Sequence, residues 1–117
     1  MEVIGLTWMG LRVSDLGSAV AFFEGLGLRR DHADGQFVAF ETANGDRVEV
    51  FGPGDEDHQH FDTGPVIGFE VADVDAARRE LEGRGIEFVG PTGRDAGLVW
   101  AHFRGPDGVV LELTAKE

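Results

Sequence analysis

The sequence contains no cysteine. This excludes disulfide bonds, thiolate catalysis and zinc sites with cysteine ligands. It also contains no apolar run long enough to cross a bilayer, and its first residues lack the pattern of a secretory signal. We therefore expect a cytoplasmic protein with no membrane partner.

Basic residues are scarce: 10 Lys and Arg stand against 22 Asp and Glu, giving a formal net charge of −12 and a pI near 4.5. Phosphates would be repelled, so we expect no nucleic-acid partner. Cationic small molecules and metal cations are permitted, although solubility alone also accounts for the charge. With 117 residues, 42% of them hydrophobic, the chain predicts a single globular domain over residues 1–117.

Familiar catalytic motifs are missing as well. There is no Ser-His-Asp arrangement with recognisable spacing and no phosphate-binding loop. The glycine pairs Gly25/Gly27 and Gly83/Gly85 stand where helices are predicted to end rather than begin. We interpret them as helix C-caps.

What the sequence does contain is an internal repeat. The stretch from Trp8, WMGLRVSDLGSAVAFFEGLGL, aligns with the stretch from Val66, VIGFEVADVDAARRELEGRGI. After a short insertion Glu49 aligns with Glu112. Matched positions include Gly10 and Gly68, Val13 and Val71, Asp15 and Asp73, Ala19 and Ala77, and Glu24 and Glu82. The repeat predicts one unit of about fifty residues that is used twice.

Each copy follows the order βαβββ. Alternating apolar residues predict strands, Asp15 and Asp73 are helix N-caps, and Asp-Gly, Asn-Gly and Gly-Pro pairs mark turns. The predicted strands are 5–13, 28–31, 37–42, 47–51, 66–71, 86–89, 98–104 and 109–114. We predict an α+β fold with a mostly antiparallel sheet, in which modules 5–51 and 66–115 are joined by a linker, 52–65.

The linker is rich in Gly, Pro and Asp and has no apolar period, which predicts a flexible acidic loop. It contains His58 and His60. Two histidines in an H-x-H pattern can chelate a metal when they lie on a strand. In a flexible loop solvated side chains are the more common outcome, and this is what we expect.

Residue parity divides the strands into two faces. The face predicted to pack on the helices carries Leu11, Val13, Val48, Val50, Ile67, Phe69, Val71, Val109, Leu111 and Leu113. The opposite face carries Trp8, Arg12, Glu49, Glu70, Trp100, His102 and Glu112. That face either lies in water or lines a pocket in a curved sheet, and the two tryptophans favour the pocket.

The tandem βαβββ order, the LRVSDL…FFEGLGL segment and the GPDGVVLEL segment resemble the vicinal oxygen chelate superfamily. This superfamily includes glyoxalase I, extradiol dioxygenases, fosfomycin-resistance enzymes and bleomycin-binding proteins. The resemblance implies a curved sheet around a cavity and a homodimer. It leaves the activity open, because one frame in this superfamily supports many functions.

In metal-dependent members of the superfamily, the first and last strands of each module supply ligands. The resemblance places these positions on Trp8, Glu49, Val66 and Glu112. Both glutamates match, whereas an indole and a valine have no lone pair to offer a metal. His102, across the GPDG turn from Glu112, is a possible third ligand or general base; otherwise it is a strand histidine bonded to a neighbour or to water.

These residues support two hypotheses. The first is a small-molecule-binding protein with a degenerate metal site, its hydrophobic or cationic ligand held by Trp8, Arg12, Val66, Glu70 and Trp100. The second is a divalent-metal lyase or dioxygenase that uses Glu49, Glu112 and His102, the last two as catalytic residues. Under the first hypothesis no cofactor is expected. Under the second a divalent metal is expected. If Glu49 and Glu112 lie close together, the pKa of one of them is raised. Arg12, whose repeat partner is Glu70, offsets their negative charge.

Overall fold

The computed structural model describes residues Met1–Glu117, which divide into two compact units. The N-terminal unit is Trp8–Pro65, and the C-terminal unit is Val66–Glu117 together with Met1–Thr7. The first residues therefore accompany the second module, which the repeat did not predict. Their backbone explains this, since the amide of Ile4 donates to the carbonyl of Glu70 at 2.8 Å.

The N-terminal unit forms a four-stranded sheet with one helix. Its elements are β1 (Gly5–Arg12, whose first three residues belong to the C-terminal unit), α1 (Leu16–Leu26), β2 (Arg29–Asp34), β3 (Phe37–Glu41) and β4 (Arg47–Phe51). The strand order is β2-β3-β4-β1. Strands β1 and β4 are parallel, and the other neighbours are antiparallel.

The C-terminal unit repeats this plan. Its elements are β5 (Val66–Glu70), α2 (Val74–Gly83), β6 (Phe88–Asp95), β7 (Leu98–Arg104), a short 3₁₀ turn (Pro106–Gly108) and β8 (Val110–Lys116). The strand order is β5-β8-β7-β6, with β5 and β8 parallel and the other neighbours antiparallel. The predicted α+β class and the tandem βαβββ order are confirmed.

Both helices begin at the predicted aspartates. The Asp15 carboxylate accepts from the amide of Ser18 at 3.1 Å, and that of Asp73 accepts from the amide of Ala76 at 3.0 Å. The backbone and side-chain hydrogen bonds from Ser18 lower the pKa of Asp15. Helix α1 ends at Gly27, whose φ of 108° is accessible to glycine at little cost.

Most strands lie within two residues of their predicted bounds, but two end well beyond them. Strand β2 continues to Asp34, whereas the prediction ended it at Asp31. Strand β6 begins at Phe88 and continues through Pro91 to Asp95, although the prediction ended it at Val89. Its register against β7 shifts between Val89 and Gly93. A proline is tolerated at such an irregularity on an outer strand, because no regular ladder bond needs its missing N–H.

Each helix packs on its own sheet. The N-terminal core joins Val20 and Phe23 of α1 to Val38, Phe40, Val48 and Val50, and the C-terminal core joins Val74 and Ala77 of α2 to residues that include Val71, Val99 and Leu113. Leu11, Val13, Phe69 and Leu111 are partly buried against these cores, as predicted. The prediction is wrong for Ile67 and Val109, which are half-buried and lie outside both cores.

The opposite face of the C-terminal sheet does not lie in water. Val66 and Val110 are fully buried, and His102 and Glu112 are 7% and 4% exposed. The alternative of a bare, water-facing sheet is therefore wrong for this unit.

The linker 52–65 is packed, so the prediction of a flexible loop is wrong. Phe61 is only 4% exposed and contacts the ring of Phe51 edge to face at 5.6 Å. Gln36 binds the beginning of the segment through two hydrogen bonds. Its backbone carbonyl accepts from the amide of Gly52 at 2.7 Å, and its side-chain oxygen accepts from the amide of Gly54 at 2.9 Å. One buried aromatic ring anchors a segment that is otherwise polar.

We expect Phe61→Ala to lower the free energy of unfolding by about 3–5 kcal/mol, because it removes a buried ring and leaves a cavity. Urea denaturation followed by circular dichroism measures this loss. The control is Gln59→Ala, an exposed position in the same segment, for which we expect a change below about 0.5 kcal/mol. A similarly small change for Phe61→Ala would contradict the packing of the segment.

Candidate functional site

Trp8 and Glu49 are joined by a short hydrogen bond in the N-terminal unit. The parallel register of β1 and β4 places Gly10 opposite Glu49, and the indole Nε1 of Trp8 donates to Glu49 Oε1 at 2.6 Å. Gly10 makes this geometry possible, since a Cβ at that position would overlap the indole ring. The indole also contacts the ring of Phe61 edge to face at 6.1 Å.

Arg47 binds the second oxygen of Glu49. Its Nη2 donates to Glu49 Oε2 at 3.1 Å, and its Nη1 donates to Asp31 Oδ2 at 3.2 Å. Burial alone would lower the pKa of Arg47, but the hydrogen bonds and negative charges of Glu49 and Asp31 outweigh it and raise that pKa above its ordinary value. Both oxygens of Glu49 are thus occupied by donors of the same unit. Arg47 was not predicted, although its position two residues before Glu49 puts it on the same face of the strand.

Arg12 fastens the segment 52–65 rather than offsetting the glutamate of its unit. Its guanidinium donates to the carbonyl of Asp55 at 2.8 Å and to that of Pro53 at 3.0 Å. The Asp55 carboxylate accepts from the His58 amide at 2.8 Å and lies 3.2 Å from the ring nitrogen Nδ1 of His58.

His58 is not solvated as expected. Its ring stacks on Phe51 with centroids 3.7 Å apart and planes at 19°, and its side chain is 21% exposed. The ring of His60 lies 6.3 Å away. The carboxylate of Asp55 and the ring of Phe51 fix the imidazole of His58, so the H-x-H pair lies in an ordered segment.

His102 and Glu112 form a buried pair in the C-terminal unit. The two residues face each other in the β7–β8 register, with Nε2 and Oε2 2.9 Å apart. Their side chains are 8% and 5% exposed. Gly68 stands opposite Glu112 just as Gly10 stands opposite Glu49, so the two carboxylates occupy equivalent positions of the repeat. The predicted proximity of His102 to Glu112 is confirmed.

The other predicted ligand-binding residues of this unit differ in exposure. Val66 is fully buried, whereas Glu70 and Trp100 are half-buried. The indole of Trp100 lies over Gly93, its neighbour on β6, where a Cβ would overlap the ring. Trp8 and Trp100 thus share one arrangement, in which the indole packs against the backbone of a glycine on the sheet.

The structure brings together some of the predicted site residues within each unit. Trp8 meets Glu49, and His102 meets Glu112. Glu49 and Arg12 belong to the N-terminal unit, whereas Glu112 and Glu70 belong to the C-terminal unit. The expected proximity of the two glutamates and the Arg12–Glu70 pair stay predictions.

The divalent metal that the resemblance implies does not fit the residues around Glu49. Neither unit gathers three or more His, Asp or Glu side chains in a metal-binding cluster. In the N-terminal unit the indole has no lone pair for a cation, and a guanidinium already neutralises Glu49. A divalent cation would have to displace both donors and sit beside the positive charge of Arg47.

A shallow open groove of about 440 Å³ lies on the N-terminal unit, and none of these residues lines it. It opens between α1 and the strands β2 and β3. Its lining comprises Leu16, Gly17, Val20, Ala21, Glu24, Arg30 and Val38. None of these is a predicted site residue.

Comparison with known proteins gives a consistent family. A family profile described as the Glyoxalase/Bleomycin resistance protein/Dioxygenase superfamily matches residues 5–113. A search of curated proteins found no match to this sequence. Neither helix is long and apolar enough to span a membrane.

Among solved structures, methylmalonyl-CoA epimerase from Mycobacterium tuberculosis is 23% identical, with a TM-score of 0.71 over 98% of this chain and 89% of that chain. A variant of the Streptomyces coelicolor methylmalonyl-CoA epimerase, in complex with 2-nitronate-propionyl-CoA, is 20% identical, with a TM-score of 0.72 over 98% and 99%. A glyoxalase/bleomycin resistance protein/dioxygenase superfamily member from Vibrio splendidus 12B01 is 17% identical, with a TM-score of 0.67 over 92% and 96%. At these identities the likeness concerns the fold.

We expect Gly10→Ala to break the Trp8–Glu49 hydrogen bond, because the new methyl group takes the place of the ring. The chain has two tryptophans, so its ¹H–¹⁵N spectrum contains two indole signals, and Trp100→Phe identifies that of Trp8. This signal should lie downfield in the wild type and move upfield in Gly10→Ala, with a loss of about 1–3 kcal/mol in the free energy of unfolding.

Gly5→Ala is the matched control for Gly10→Ala. It introduces the same methyl group in the same strand, where no atom lies within 4 Å. We expect it to leave the Trp8 signal in place and stability within about 0.5 kcal/mol of the wild type. If the Trp8 signal were unmoved in Gly10→Ala, the indole would not be bound to Glu49.

Proposed function

This chain belongs to the glyoxalase/bleomycin resistance protein/dioxygenase superfamily, and from that premise we propose that it binds a small organic molecule without the superfamily's metal. The observation that carries the proposal is the state of Glu49. Its carboxylate stands at a ligand position, and both oxygens are occupied by the indole of Trp8 and the guanidinium of Arg47. The carboxylate that would otherwise be free to hold a cation is bound to donors of the protein instead.

Of the two ligand positions in the C-terminal unit, the one at Val66 offers a cation nothing. Val66 is fully buried and has no donor atom. In the same unit, His102 Nε2 lies 2.9 Å from Glu112 Oε2, so these two groups also satisfy one another. A buried carboxylate that already has a hydrogen-bond partner gains less from a cation, which must first lose its water.

The tryptophans suggest the class of ligand. Trp8 and Trp100 are half-buried, with one side of each ring against a glycine backbone. Flat, partly exposed indoles favour aromatic or apolar molecules. Arg47 offsets the charge of Glu49, which leaves the N-terminal unit with less reason to select a cation. We therefore favour an uncharged aromatic ligand over the cationic one that the acidic composition suggested.

Metal content and ligand binding test this proposal together. Protein purified without chelator should contain far less than one metal ion per chain by mass spectrometry. Its thermal unfolding should not respond to added Mg²⁺, Mn²⁺, Ni²⁺ or Zn²⁺. Stoichiometric zinc, nickel, iron or manganese would contradict the proposal.

A screen of planar aromatic compounds, read by tryptophan fluorescence, should yield ligands whose affinity falls roughly 3- to 10-fold in Trp8→Phe. Phenylalanine keeps an aromatic ring but removes the N–H that holds it over Gly10. The matched variant Trp100→Phe leaves Trp8 as the sole reporter and shows which indole the compound touches. Ligands that bind both variants as tightly as the wild type would place the binding surface elsewhere.

The second candidate is a divalent-metal lyase or dioxygenase that uses Glu49, Glu112 and His102. One observation favours it: His102 and Glu112 are adjacent and buried, which is where a metal ligand or a general base would stand. Stoichiometric metal that is lost in His102→Gln would support this candidate. A homodimer, which the family implies, belongs to either proposal.

A further inference from the structure

Three polar side chains form a row across the C-terminal sheet, on the face opposite its hydrophobic core. Thr114 on β8 stands opposite Glu70 of β5 on one side and opposite Trp100 of β7 on the other. Residues that pair directly across a sheet project from the same face. Because neighbouring strands are about 4.8 Å apart, the main chains at Glu70 and Trp100 are separated by about 10 Å.

The polar groups of the Glu70–Thr114–Trp100 row are accessible and are not used by the fold. All three residues are half-buried. The indole N–H of Trp100, the hydroxyl of Thr114 and the carboxylate of Glu70 form no hydrogen bond or ion pair within the chain, and none of these groups is sealed from solvent. Trp8 differs, since its indole N–H donates to Glu49. A ligand can therefore bind the row without displacing a protein partner.

Glu70 differs from the other acidic residues of the C-terminal unit that are partly or fully buried. Each of the others has a basic partner, and these pairs are Asp75–Arg94, Glu80–Arg84 and Glu112–His102. Lys116, two residues after Thr114 on β8, is exposed and forms no ion pair with Glu70. A carboxylate that is partly withdrawn from water and has no counter-ion favours the binding of a cation.

The indole of Trp100 supplies an aromatic surface at the other end of the row. The ring packs against the backbone of Gly93 on β6, where a Cβ would overlap it. It takes no part in the hydrophobic core of its unit. The face of an indole attracts aromatic rings and organic cations. The N-terminal unit lacks this combination, because Arg47 already neutralises the carboxylate beside Trp8.

We propose that the Glu70–Thr114–Trp100 row binds an arylalkylamine, a small molecule with an aromatic ring at one end and a protonated amine at the other. The ring stacks on the indole of Trp100, the alkyl chain crosses Thr114, and the ammonium group donates to the carboxylate of Glu70. This site uses residues of the C-terminal unit alone. It therefore goes beyond the proposed function and does not depend on the state of Glu49.

Two probes of similar shape test the requirement for charge: 4-phenylbutylamine, which is protonated at neutral pH, and the uncharged 4-phenylbutanol. By isothermal titration calorimetry, the amine should bind the wild type at least ~10-fold more tightly than the alcohol. Glu70→Gln keeps the shape of the side chain and removes its charge, so it should abolish this preference by weakening the amine alone. Trp100→Leu should weaken the binding of both probes. In the ¹H–¹⁵N spectrum of the wild type, the amine should move the indole signal of Trp100.

The control is Glu87→Gln, which makes the same change at an exposed residue of the C-terminal unit. It should bind the amine like the wild type, and circular dichroism should show all variants folded. An amine that binds no more tightly than the alcohol would overturn the proposal. So would a preference that survives Glu70→Gln, or a Trp100 indole signal that the amine leaves unmoved. Metal content and the screen of planar aromatic compounds test the proposed function separately, so these results would leave it standing.

Discussion

The polar face of the N-terminal unit is arranged around a carboxylate that has little access to water. Glu49 lies on β4 opposite Gly10, with its side chain 18% exposed. An ionised carboxylate in such a position needs donors. The unit supplies an indole N–H and a guanidinium, and these place other residues in turn: Gly10 must lack a side chain to admit the ring, and Asp31 binds the other nitrogen of Arg47.

The same problem has a different solution in the second copy of the repeat. Val110 occupies the position equivalent to Arg47 and is fully buried, so Glu112 has no cation at the position that Arg47 holds in the first copy. Its partner comes from the neighbouring strand, where His102 stands opposite it. In the first copy the residue opposite Glu49 is Ala39, which is also fully buried. One frame thus holds two equivalent carboxylates: Glu49 is bound by a guanidinium on its own strand and an indole on the neighbouring one, and Glu112 lies against an imidazole across the sheet.

Much of this architecture could be predicted from the sequence. The repeat, the aspartate caps and the glycines after the helices gave the βαβββ order, because each is a local signal that acts on the backbone beside it. The pairing of His102 with Glu112 also followed, since a tight turn fixes the register of the two strands that it joins. Parity placed Trp8 and Glu49 on one face, and the structure adds that they are bonded.

The errors arose where a distant residue decides the outcome. The segment 52–65 has a loop composition, and only the burial of Phe61 against Phe51 holds it in place. Strand β6 passes through Gly90-Pro91 because its ladder shifts register there, an adjustment that local propensity does not reveal. Arg47 was overlooked because an arginine on a strand usually reaches solvent, whereas here two carboxylates hold it.

A duplicated frame separates folding from chemistry in this chain. Each core is built from the helix and the apolar face of its own sheet, and no residue of the Trp8–Glu49–Arg47 group belongs to it. A substitution in the Trp8–Glu49–Arg47 group therefore leaves the core contacts of its unit in place. An indole at Trp8 is compatible with the fold for this reason. Each glutamate has a protein partner, the indole and guanidinium for Glu49 and the imidazole for Glu112.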